Sequence, residues 1–196
     1  MGTRNLTIVV SGGKHCVAQY GQWDGYPDGQ GSTVLKFADE WLVDSSRRAR
    51  FRDQLQYCRF LTDEGVKALY DAEGIGQYMN MKQAQSFKQK YPSIDRDMAA
   101  EVLEYVRFSD TPVLLKDSYD FAKDSLFCEW AYVIDLDKNT FEVYRGFNKD
   151  PLPKNERFAP LGNDGEYYPI KLAKSWSLDN LPTEEEFLKG WTEEDE

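Results

Sequence analysis

The sequence predicts an α+β fold: an antiparallel sheet built from two hairpins, with a helical insertion packed on it. Two β-rich runs, RNLTIVV (4–10) and HCVAQYG (15–21), flank the turn SGGK. A second such pair, EWAYVIDLDKNTFEVYRGF, spans 129–147, and residues 31–128 between them are mostly helical in period. The 196 residues suffice for one compact domain with a sizeable core. The expected division is first hairpin and following loop (1–30), helical region (31–128), second hairpin (129–147), then loop, edge strand and acidic helix (148–196).

Gly12 and Gly13 suit a two-residue turn. That register sets Val10 opposite His15, Ile8 opposite Val17 and Asn5 opposite Tyr20. Beyond Gly31 the apolar spacing becomes helical: Val34, Ala38, Trp41 and Leu42 share a face, with Ser32 or Thr33 as N-cap. Phe51, Leu55 and Cys58 mark a second helix, and Val66, Leu69 and Tyr70 a third that stops near Gly74. Residues 79–90 form a fourth, ended before Pro92. Met98, Val102, Tyr105 and Val106 mark another, and 121–128 a short one. Trp130, Tyr132, Ile134 and Leu136 share one strand face, and YYPIKLAKSW supplies an edge strand. Thr183 and Glu186 form a capping box for a last helix burying Phe187, Leu188 and Trp191.

The net charge of −10 is uneven, because residues 175–196 hold eight acids against Lys189. Neither duplex nucleic acid nor an anionic membrane, both of which need a basic face, is expected as a partner. No apolar run is long enough to span a bilayer, and no signal peptide opens the chain, so a cytoplasmic location is expected. Three scattered cysteines read as reduced thiols. The lone histidine, His15, argues against zinc sites and Ser-His-Asp or Cys-His catalysis, and no metal or other cofactor is implied. DLDKNT (135–140) begins like a calcium loop but lacks its glycine and final glutamate, and reads as a turn.

The segment VAQYGQWDGYPDGQGST (17–33) carries the candidate site. A Gly-rich turn leads from a strand into a helix, whose first amides can bind an anion. Gly29, Gln30, Gly31 and Ser32 would cradle it, and Arg4 would neutralise it. Tyr20, Trp23 and Tyr26 offer stacking faces, while Asn5, Gln19, Gln22 and Asp24 offer polar contacts. Arg145, on an otherwise apolar strand face, is a further ligand-binding candidate. The alternative is structural: Gly-Tyr-Pro-Asp-Gly is good turn chemistry, and the rings would plug the end of the sheet. Arg47, Arg48, Arg50 and Arg52 read as a solvated helix face.

The run GTRNLTIVV…VAQYGQWDGYPDGQG resembles a family of uncharacterised proteins with fungal and bacterial or phage relatives, recognised by Tyr-Gly-Gln-Trp/Phe-Asp-Gly-Tyr-Pro-x-Gly-Gln-Gly. The resemblance is close from Gly2 to about Phe37 and brings no established activity. Its phage members imply one use, counter-defence by sequestering or degrading a signalling nucleotide. A much weaker similarity, to N-terminal-nucleophile amidohydrolases, implies catalysis by Thr3 with Asp24 as base, but Gly2 stands where that nucleophile belongs.

The leading expectation is therefore a small-molecule site for a polar, phosphate-bearing or nucleotide-like ligand at 19–33. An amidohydrolase- or phosphodiesterase-like enzyme using the same pocket is the second. A protein-interaction module with an acidic tail is the third; a homo-oligomer is compatible with each.

Overall fold

The computed structural model describes residues 2–76, 78–163, 165–189 and 191. The acidic run 193–196 expected as a tail lies outside them. The chain forms β1 (Asn5–Ser11), β2 (Lys14–Gly21), α1 (Ser32–Trp41), α2 (Ser45–Leu55), β3 (Cys58–Leu61), α3 (Asp63–Ala72) and α4 (Met81–Lys90). It continues through α5 (Val102–Phe108), β4 (Val113–Lys116), β5 (Trp130–Asp135), β6 (Thr140–Arg145), β7 (Lys171–Ser177) and α6 (Glu184–Lys189). Among the described residues, no helix is long and apolar enough to cross a membrane.

The fold mixes α and β around a five-stranded sheet of order β2-β1-β5-β6-β7. The expectation of a wholly antiparallel sheet is corrected. The central pair, β1 and β5, is parallel, with Asn5 opposite Trp130 and Val10 opposite Asp135. Because β2 is antiparallel to β1, it ends where β1 and β5 begin, and the helical excursion carries the chain across β1 to its other side.

Apolar residues cover both faces of the sheet. Val9, Val17, Trp130, Tyr132, Ile134, Phe141 and Val143 meet α1, α2, α5 and α6 through Val34, Phe37, Phe51, Val102, Leu103 and Phe187. Leu6, Ile8, Ala131, Val133 and Tyr144 meet Ala122, Phe158 and Ile170 on the opposite face. This explains why β5 is buried along its whole length.

The first-hairpin register also departs from expectation. Val10 does face His15, but Val9 faces Val17, and the register then runs Ile8–Ala18, Thr7–Gln19 and Asn5–Gly21. Cys16 is the extra residue of a β-bulge, which shifts every later pair by one. Two short strands were unexpected: Cys58 belongs to β3, not to the second helix, and β3 pairs in parallel with β4. Four-residue apolar runs such as CRFL and VLLK carry too little periodicity to separate strand from helix. Met98 precedes a 3-10 turn rather than lying in α5, and a 3-10 turn at Tyr119–Lys123 replaces the helix expected at 121–128.

The expected capping box opens α6: the Thr183 amide donates to Glu186, and the Glu186 amide donates to Thr183 Oγ1. The arginine-rich face of α2 is paired, Arg48 with Asp179 at 2.6 Å and Arg52 with Asp137 at 3.0 Å.

Candidate functional site

The glycine-rich loop is braced by its own backbone. Gly25 donates to the Thr3 carbonyl (3.0 Å), Gln30 to Asp24 (2.8 Å), and both Gly29 and Gly31 to Tyr26 (3.0 and 3.2 Å). A π-type turn, Pro27–Gly31, runs directly into α1, so Gly31 rather than Ser32 or Thr33 is its N-cap. The Ser32 amide in turn donates to the Gly29 and Pro27 carbonyls. The amides expected to cradle an anion are thus engaged within the turn. Gly29, Ser32 and Thr33 do line a groove of about 440 Å³, but Asp28, Asp39 and Glu184 line it too, against Lys36. That surface repels anions.

Packing explains the other glycines. Tyr132 donates to the Gly25 carbonyl at 2.8 Å, and a Cβ at Gly31 would lie 2.9 Å from the Tyr132 ring. The Gln30 side chain accepts from the Ala100 amide (3.0 Å), and Trp23 donates to Asp97 (3.2 Å). Asn5 is fully buried and donates to the Gly21 and Trp23 carbonyls. Trp23 and Tyr26 are about half exposed, at 49% and 53%. Thr3 is buried whereas Asp24 is exposed, and no hydrogen bond joins their side chains among the described residues. The nucleophile and base of the enzymatic expectation are not assembled.

Arg4 lies 4.8 Å over the Phe127 ring, and Arg145 lies 5.5 Å over Trp130. Trp130 is the register partner of both Asn5 and Arg145, so Arg145 is two strands from Asn5 at the loop end of the sheet.

A more enclosed space lies elsewhere on the loop. Gln19, Tyr20 and Gln22, at the end of β2, form one wall of a cleft of about 710 Å³. Tyr70 of α3 and Phe87 of α4 line it too, with Asp95, Arg96, Lys116, Asp117, Asp120 and Phe121. Tyr20 donates to Gln22 Oε1 (2.8 Å) and packs edge-on against Phe121 (5.1 Å). Gln19 is 4% exposed and donates to the Asp95 and Tyr20 carbonyls, which leaves its Oε1 buried without a partner. Such an atom asks for a donor. Asp117 also holds the sole imidazole: His15 Nε2 is 2.9 Å from its carboxylate, with the His15 ring stacked on Tyr119 at 4.3 Å.

Thiol chemistry is unfavourable nearby. Burial, then the neighbouring Cys16, pushes the Cys58 thiol up to about 12, and burial also raises Cys16.

The fold therefore divides the expected residues. Gln19, Tyr20 and Gln22 share the cleft; Gly29 and Ser32 share the acidic groove; Arg4 and Arg145 stand at the sheet end. Tyr70, Phe87, Asp95, Arg96 and Lys116 were not anticipated, since they meet the loop only through the packing of α3, α4 and β4.

Comparison with protein-family models, curated proteins and solved structures finds no match.

Proposed function

We propose that the protein binds a small, polar, phosphate-bearing molecule of nucleotide type in the cleft walled by Gln19, Tyr20 and Gln22. The cleft itself carries this reading: its volume of about 710 Å³ lies within the range of small-molecule sites. Tyr20, Tyr70, Phe87 and Phe121 offer faces and edges for a flat ring. With Asp117 hydrogen-bonded to His15 and Asp95 paired with Lys88, Arg96 and Lys116 offer charge-assisted contacts to a phosphate against Asp120, and Gln19 and Gln22 offer polar groups for a base edge. Binding without turnover would sequester the nucleotide, the use that the resemblance to phage proteins implies.

The test is calorimetric titration with a panel of nucleoside mono- and diphosphates and their dephosphorylated nucleosides. A phosphorylated member should bind better than its nucleoside, and Lys116→Ala should weaken that binding about tenfold. No heat from any member, or equal affinity in Lys116→Ala and Tyr20→Leu proteins, would overturn the proposal.

A further inference from the structure

The outer face of α5 is not built for water alone. Val102, Leu103 and Val106 point into the core, and the opposite face of such a helix is ordinarily polar. Here Met98, just before the preceding 3-10 turn, and Tyr105 and Phe108 on the helix line one groove of about 640 Å³. Tyr105 is 38% exposed and Phe108 72%. Over 98–108 the apolar stripe is about 15 Å long. Large rings gathered on one exposed face mark an interaction surface.

Phe108 is exposed but not loose. The Arg107 guanidinium lies 3.5 Å from the centre of the Phe108 ring and 3.6 Å from that of Trp41 on α1, and its Nε donates to Glu104 (2.7 Å). Arg47, 5.2 Å over the same Trp41, donates to the Glu40 carbonyl. A ring fixed in place and left in solvent has already lost the freedom that association would take from it. That is what an interface anchor needs.

Charge says what kind of partner fits. Among the described residues lining the groove are three acids, Glu101, Glu104 and Asp110, and no Lys or Arg. Glu104 is engaged by Arg107, whereas Glu101 and Asp110 are exposed. The chain as a whole carries −10. An apolar floor with an acidic rim complements an apolar stripe edged with cations. Because the floor is laid out at helical spacing, the i, i+3, i+4 and i+7 residues of a second helix match it along its length.

We propose that the outer face of α5 docks a basic amphipathic helix of a partner protein, its apolar stripe on Tyr105 and Phe108 and its Lys or Arg residues at Glu101 and Asp110. The groove shares no lining residue with the nucleotide cleft, so neither site depends on the other.

The test is fluorescence anisotropy with three labelled synthetic peptides of about 18 residues, long enough to be helical. The first has Leu at i, i+3, i+4 and i+7 and Lys elsewhere; the second replaces every Lys by Glu; the third scrambles the first. The first should bind, more weakly as salt rises from about 50 to 500 mM, and the others at least about tenfold more weakly. Phe108→Ala, which leaves the buried face of α5 untouched, should lose about tenfold or more. Glu101→Gln combined with Asp110→Asn should lose about two- to tenfold and flatten the salt dependence. No binding of the first peptide, equal binding of the second or the scrambled one, or unchanged affinity in either variant would overturn the proposal. Self-association of the protein that Phe108→Ala abolishes would overturn it too, by giving this face to a second copy of the chain.

Discussion

At Gly31 the backbone is helical, with φ −60° and ψ −51°, so alanine is compatible with the backbone itself. The added Cβ, however, would come within 2.9–3.0 Å of the buried Tyr132 ring and its hydroxyl. Overpacking of this kind costs about 1–3 kcal/mol, so Gly31→Ala is expected to destabilise the protein. Urea denaturation gives the sign directly, and a stabilised variant would mean that the ring moves aside. Cys58 offers a second prediction at this scale. A thiol pushed up to about 12 stays protonated at neutral pH. Native Cys58 should therefore react with a thiol reagent far more slowly than the unfolded chain, by mass spectrometry of the labelled peptide.

The connection from β6 to β7 shows what one arginine does for an element. Arg157 donates to Asp135 (2.6 Å) and to Glu142 (2.8 Å), carboxylates that are 2% and 5% exposed. Its neighbour Phe158 is fully buried, edge-on to Tyr144 at 4.8 Å. Arg157→Ala would leave two buried carboxylates without their cation, at a cost of about 3–5 kcal/mol. Limited proteolysis should then cut within 148–165 much sooner than in the parent protein; equal cutting rates would deny the arginine this role. From the sequence this segment reads as a polar loop, because nothing local marks Arg157 as buried. Strands β1, β2, β5 and β6 and helix α1 were legible, because their apolar positions repeat with the right period over seven or more residues or form paired runs. The parallel pairing of β1 with β5 leaves no local mark, and neither does the bulge at Cys16. The same limit applied to the site. Tyr20 and Gln22 stood out beside glycines and aromatics, whereas Tyr70, Phe87 and Lys116 join them only through tertiary packing.

Across the whole molecule, surface carboxylates tie the turns to the helices. The Gly13 and Gly12 amides, and then Arg52, hold Asp137 below the ordinary aspartate range; Arg48 and then Asn139 do the same for Asp179. A carboxyl group depressed in the folded state adds stability above its unfolded value and loses it as pH falls through the folded one. The melting temperature should therefore drop as pH falls below about 4, and less steeply in Asp137→Asn, which starts lower at pH 7. Thermal scans from about pH 7 to pH 3 compare the slopes, and parallel curves would show that Asp137 contributes nothing. The place of β1 as an inner strand of the sheet has a consequence for synthesis. β1 and β2 leave the ribosome early, but the partner that closes the other side of β1 begins only at Trp130. At about 5–20 residues per second, an open edge carrying Leu6, Ile8 and Val9 waits roughly 6–24 s for that strand. The nascent chain is thus most vulnerable to aggregation between the emergence of β1 and that of β5, and a slower ribosome would widen that interval.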